Sequence, residues 1–318
     1  MSISLVPMPG RFVDHAAMWG TPPRHATRQL SRARRRSRAR RRAVLAAVLA
    51  AVLGGGTTTM AQARTTQSYR RGPAPTVATI TAPRGPFTIA VANIDGDNTF
   101  GSATVYYPTT TRQGTYGVIA IIPGFMGFWS WMDWLGPRLA SQGFVVIGVD
   151  TVQPWDLPED RGDEIQAAVE AARRDPRIAR VGDFDRVALS GWSMGGGGVL
   201  DAAVSRPYRA LIPIAPWEIG NDFAAVKSPT LVIGGQADAV APDATMAIPF
   251  YNALGGKKAF LELAHLDHFF TTEASKAQAA AMIAWLKIYV DGDTRYTSFI
   301  CPRPAVGGAA ISNFRSAC

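Results

Sequence analysis

The sequence predicts a three-layer α/β fold, a mostly parallel sheet with helices on both faces, and three observations carry that reading. Short β-rich runs alternate with helix-like spans along the chain. Most of the runs are apolar throughout, as strands buried on both faces are. A glycine-dense turn, ALSGWSMGGGGVL at 188–200, joins one such run to one such span.

After an extended N-terminal stretch, strands are read at 102–108, 116–123, 144–150, 186–190, 210–216, 230–235 and 258–263. Between and after them, helices are read at 134–143, 163–175, 196–205, 244–256 and 273–290. Right-handed crossovers would lay those helices on both faces of the sheet. In such sheets the chemistry gathers beyond the carboxyl ends of the strands, where the serine of the glycine-dense turn falls.

The formal charge of +9 would suit a nucleic-acid partner were it spread over the chain, but it is concentrated at one end. Residues 1–63 hold 11 of the 33 basic residues and one of the 24 acids, so the remainder is nearly neutral. The arginine block RARRRSRARRR is followed by AVLAAVLAAVL at 43–53, too short to span a bilayer, and then by small residues ending in AQA at 61–63. That order reads as a secretory signal within a leader over 1–63, with cleavage after Ala63. A nucleic-acid arm has no reason to precede a hydrophobic stretch, so no nucleic-acid partner is expected.

Residues 64–318 then form one globular domain, located outside the cytoplasm, extracellular or periplasmic, with no membrane insertion after cleavage. It is expected to act as a monomer. The only two cysteines, Cys301 and Cys318, read in an exported protein as a disulfide that staples the tail.

Gly191-Trp192-Ser193-Met194-Gly195 fits the G-x-S-x-G elbow between a strand and a helix, where any side chain at the flanking glycines would collide with the turn. No lysine follows the glycines, which excludes a Walker phosphate loop. A serine hydroxyl needs a base, and outside the leader the chain offers only His265 and His268, both in the loop after the last predicted strand. The orienting carboxylate should lie between serine and histidine in chain order. Asp201 falls in a helix, Asp222 in a polar loop and Asp243 at a helix N-cap, while Asp267 adjoins the histidine. Asp238 remains, at the carboxyl end of the strand TLVIGG. Met194 N–H and Phe125 N–H, the latter in IIPGFMG with Gly124 allowing close approach, are the expected oxyanion donors. Phe125, Trp192 and Trp217 are expected to wall an apolar cleft, although Trp217 also suits the core.

Taken together, RGPAPT, GPFT, ATVYYPT, IIPGF, GPRLASQGFVVIGVDT, GWSMGGGG, APWE, DAVAP, LELAHLDHF, DGDTRYTSFIC and SNFRSAC resemble, over roughly residues 69–318, the bacterial cutinase and polyester hydrolase family, which includes poly(ethylene terephthalate) hydrolases, of the α/β-hydrolase superfamily. The resemblance implies His268 as the base, five residues after the LEL strand. It carries the nucleophile to Ser193, the acid to Asp238, the oxyanion donors to Phe125 and Met194, the aromatic clamp to Phe125, Trp192 and Trp217, and the tail disulfide to Cys301 and Cys318. The sequence departs from the family at MGFWSWMDW, crowded with rings where polar residues are usual, and at Gly235 and Phe270, where some members carry a second disulfide. Trp155 and His265 are further departures near the expected rim.

The function implied is a serine esterase acting on a polyester surface or a small ester, with no cofactor or metal required. Two other readings remain: a small-molecule carboxylesterase or dienelactone-type hydrolase inactive on polymer, and an exported binding module whose serine is silent.

Overall fold

The computed structural model describes residues 69–220 and 222–316; the leader and Cys318 lie outside the described residues. Among the described residues, nine strands form one mixed sheet in the order β1-β2-β4-β3-β5-β6-β7-β8-β9. They are β1 (Ile89–Asp97), β2 (Phe100–Pro108), β3 (Tyr116–Ile122), β4 (Val145–Asp150), β5 (Gly182–Trp192), β6 (Ala210–Ile214), β7 (Thr230–Gly235), β8 (Lys258–Leu263) and β9 (Ile311–Ser316). The block from β4 to β8 is parallel. At the edges, β2 runs antiparallel to this block on one side, with β1 paired antiparallel outside it, and β9 runs antiparallel on the other.

Helices cover both faces, as the alternation requires. Residues Ile119, Ile121 and Val146 pack with α2 (Leu135–Ala140) and α7 (Lys276–Tyr289) on one face. Their strand neighbours Val118, Ala120, Ile122, Val145 and Ile147 pack with α3 (Pro158–Arg174), α5 (Met194–Ser205) and α6 (Ala247–Ala253) on the other. Alternate residues of one strand thus enter different cores, which is why these runs must be apolar throughout. Short helices α1 (Val77–Thr81) and α4 (Pro176–Ala179) complete the set.

Three local readings need correction. The stretch read as merely extended before residue 102 contains α1 and β1, and the tail contains β9. Both strands lie at sheet edges and are largely half-exposed, so they carry polar residues and are not apolar throughout. Helix α3 begins at Pro158, earlier than its apolar pattern suggests, with proline in its first turn and Glu159 and Asp160 against the positive end of the helix dipole. Asp243 is not an N-cap: α6 starts at Ala247 after Met246, and the Asp243 side chain turns inward against Gly234.

One buried ionic group ties the lower end of the sheet to α7. Asp291 accepts from Arg186 Nη1 at 2.6 Å and from Lys287 Nζ at 2.8 Å, and all three side chains are almost fully buried. The Arg186 guanidinium also lies 3.7 Å from the Tyr69 ring centroid. Asp291→Ala leaves two buried cations facing each other and is expected to cost about 3–5 kcal/mol in urea unfolding.

Candidate active site

The site is assembled beyond the carboxyl ends of β3, β5, β6, β7 and β8. At the end of β5 the chain turns through Ser193 with φ 55° and ψ −121°, then enters α5 at Met194. A non-glycine residue held there stores roughly 1–3 kcal/mol of strain, which the surroundings must impose. The imposition is visible: Ser193 N–H donates to Ile214 O at 2.9 Å, and Ser193 O accepts from Trp217 N at 2.9 Å and Gly197 N at 3.1 Å. The glycines answer to close packing. A Cβ on Gly191 would collide with the Gly195 backbone, and one on Gly195 would lie 2.5 Å from Pro123 O.

Beyond β7, Asp238 sits in a turn whose N–H groups from Val240 and Ala241 reach Oδ1 at 2.8 and 2.7 Å. Its other oxygen, Oδ2, meets His268 Nδ1 at 2.7 Å, with the carboxylate fully buried and the imidazole nearly so. The paired carboxylate places the imidazole proton on Nδ1 and leaves Nε2 as the lone-pair nitrogen. Of the two histidines in this loop, His268 therefore faces Asp238. His265 is exposed at φ 61°, its backbone N–H donating to Gln236 Oε1 at 3.0 Å.

Trp192 joins the histidine loop to the elbow. Its Nε1–H donates to His268 O at 2.9 Å, and its ring lies 5.4 Å from the imidazole. Being one residue before Ser193, it brings the serine and histidine segments to the same place. Its ring is only 2 % exposed, so it is less an open wall of the cleft than a seat for its neighbours. Phe125 is exposed and Trp217 half-buried, with Trp217 tied to the elbow through its backbone. Phe270 packs against Gly235, so the two positions that depart from the family are spatial neighbours.

The loop after β3 closes over the elbow. A Cβ on Gly124 would lie 2.6 Å from Ser193 Cβ, so only glycine permits this approach of Phe125 to the serine. Met126, at φ 56°, donates its N–H to Pro154 O at 2.6 Å. Met194 is the first residue of α5, where a backbone N–H has no intrahelical acceptor and the helix dipole is positive.

Arg161 holds this loop from below, a residue the sequence reading did not single out. Fully buried on α3, it donates from Nη1 to Pro123 O at 3.1 Å, from Nη2 to Pro154 O at 2.8 Å and from Nε to Asp156 O at 2.8 Å. Burial lowers its pKa to about 10, which still leaves it charged at neutral pH. No spacing or motif marks it, because its partners are carbonyls of distant loops and every residue has a carbonyl.

Asp243 lies below the acid loop. Its pKa is pushed up to about 8, first by burial and then by the carboxylates of Glu262 and Asp238. No N–H or hydroxyl among the described residues donates to either of its oxygens. Because the folded pKa stands above the unfolded one, near 3.8, the native state binds the extra proton between those values. Stability should therefore fall as pH rises from about 4 towards 8, by at most about 1.4 kcal/mol per unit for this group. Thermal unfolding across that range should show the decline, and Asp243→Asn should flatten it in part. Glu164, also raised to about 8 by burial and then by Asp156, should contribute in the same direction.

A mostly parallel sheet with helices on both faces and a strained serine turn at the head of a helix defines an α/β-hydrolase. Comparison with known proteins takes the assignment further: a family model described as PET hydrolase-like matches residues 42–318, and the chain belongs to that family. It is 42 % identical over 255 residues to a bis(hydroxyethyl) terephthalate hydrolase of Streptomyces coelicolor, covering 79 % of this chain and 82 % of that protein. It is 41 % identical over 266 residues to a cutinase of Thermobifida fusca, covering 81 % and 88 %. With cutinase 1 of Thermobifida cellulosilytica it shares 42 % identity over 258 residues, covering 79 % and 98 %. The protein is a carboxylic ester hydrolase.

Proposed function

We propose that this protein is an exported serine esterase that cleaves polyester bonds, cutin-like, aliphatic or aromatic, through Ser193, His268 and Asp238. The observation that carries the reading is the buried 2.7 Å bond between Asp238 and His268, set beside a serine turn held under backbone strain. The names of its relatives, cutinases and a bis(hydroxyethyl) terephthalate hydrolase, support the substrate class.

In this mechanism Ser193 Oγ attacks the ester carbonyl carbon while His268 Nε2 takes the hydroxyl proton. Asp238 keeps the proton on Nδ1 and stabilises the imidazolium. The carbonyl oxygen, now carrying the charge, accepts from the N–H groups of Phe125 and Met194. Collapse breaks the bond to the alcohol, which leaves with the proton from His268. Water then gives a proton to the same nitrogen, attacks the acyl carbon, and releases the carboxylic acid as the Ser193 hydroxyl is restored. The cycle needs neither metal nor cofactor. Phe125 and Trp217 would flank the acyl group, with Trp192 beneath.

Purified protein should release soluble acids from polyester films, and a fluorophosphonate should label Ser193 but not a Ser193→Ala variant. Labelling without film products would favour an esterase confined to small molecules, and no labelling would leave the binding-module reading. The leader and the Cys301–Cys318 disulfide belong to the same proposal. N-terminal sequencing of exported protein should begin near Arg64, and non-reducing peptide mapping should recover the cysteine pair. Among the described residues, no helix is long and apolar enough to cross a membrane.

A further inference from the structure

A row of rings leads away from the catalytic imidazole. Trp192 packs against His268 at 5.4 Å and against Phe269 at 5.5 Å. It also meets Trp131 at 6.1 Å, and Trp131 meets Phe128 at 6.3 Å. Trp192 itself is buried, whereas Phe128 is 47 % exposed and Trp131 41 %. Two large apolar rings are thus left facing solvent, in unbroken contact with the site.

The backbone holds them there. Residues 129–131 form a turn of 3-10 helix with Phe128 at its N-cap, and in that helix positions three apart stand on one side. Phe128 and Trp131 are such a pair. Between them, Trp129 turns the opposite way: it is 3 % exposed, its ring lies close against Gly148 and Tyr106, and its backbone N–H donates to Asp150 Oδ1 at 2.7 Å. A buried tryptophan therefore pins the segment to β4 while its two neighbours stay outside. Rings fixed in advance lose little freedom when a ligand covers them.

We propose that Phe128 and Trp131 form a second ring-binding shelf, which takes an aryl group of the polyester chain at least one repeat unit beyond the scissile ester. The inference rests on the serine-esterase reading and deepens it. A planar aryl group can stack or pack edge-on against these rings, whereas an aliphatic segment gains only its burial. The shelf therefore favours aromatic over aliphatic chains of equal length, and long substrates over short ones.

The test uses binding as well as turnover. In protein made inert by Ser193→Ala, the dissociation constants of bis(hydroxyethyl) terephthalate and of its linear dimer are measured by calorimetry. Adding Trp131→Ala should weaken the dimer about 5- to 10-fold and the monomer about twofold or less, with Trp131→Phe restoring much of the loss. In active protein, the same change should raise KM for the dimer with kcat nearly constant. An aliphatic diester dimer of matched length should respond far less.

Equal loss for monomer and dimer would overturn the shelf, as would dimer binding indifferent to Trp131 and Phe128. Failure of the underlying reading looks different. Wild-type protein inert toward p-nitrophenyl butyrate and unlabelled by fluorophosphonate would remove the esterase mechanism, and the binding measurements would still judge the shelf.

Discussion

His268→Ala is expected to lower kcat/KM for a p-nitrophenyl ester by about 10⁴- to 10⁶-fold, while His265→Ala keeps most of the wild-type rate. The two residues share a loop and a chemistry, yet only His268 points its Nδ1 at a buried carboxylate. His265 is exposed, and its hydrogen bond to Gln236 is through the backbone, which alanine retains. Alanine at 265 does inherit a left-handed φ, so a modest loss of thermal stability is expected without a matching loss of rate. Steady-state kinetics on the two variants, with unfolding midpoints, checks both statements. Equal losses at the two positions would contradict the assignment of the base.

The second large effect is expected at a residue remote from the ester. Arg161→Met keeps the apolar stem of the side chain but removes the donors that satisfy Pro123, Pro154 and Asp156 carbonyls. Hydrogen bonds from charged groups are worth about 1.5–3 kcal/mol each, and Pro123 O, the buried acceptor among the three, adds its own desolvation cost. A loss of about 3–5 kcal/mol in unfolding free energy is expected. The chemistry should suffer as well. Pro123 leads directly into Gly124 and Phe125, and Pro154 O fixes Met126, so the loop carrying the Phe125 N–H, the proposed oxyanion donor, is loosened on both sides. Loss of one oxyanion donor lowers kcat by about 10²- to 10³-fold. Measured below the variant's own melting range, a fall in kcat with a nearly unchanged KM would mark lost transition-state stabilisation. Arg161→Lys should rescue little, because one ammonium cannot reach three diverging carbonyls.

The central parallel block was legible in the sequence because strands buried on both faces have no room for polar residues. The runs around Val118–Ile122 and Val145–Val149 therefore announce themselves. Edge strands β1 and β9 do not, since one side of each meets solvent and sequences such as IDGD and SNFR are tolerated there. Ser193 was legible for a different reason: its turn requires glycines at 191 and 195, and that requirement survives as a motif. Asp238 and His268 followed from chain order and from the family resemblance, whereas residue spacing alone left two histidines open. Asp243 misled, because an aspartate before a helix-like span looks like a cap even when its carboxylate faces a buried glycine. Arg161 was silent for want of any pattern in backbone acceptors.

The order of segments around the cleft has a bearing on how the enzyme comes to life. Ser193 lies near the middle of the sheet, while Asp238 and His268, the acid and base of the proposed triad, come from loops after β7 and β8, which join it only through β6. No half of the molecule contains all three side chains of the proposed triad. Recovery of hydrolysis after dilution from denaturant should thus coincide with the last stage of sheet completion, and a clipped chain that ends before β7 should be inert however well its first portion holds together.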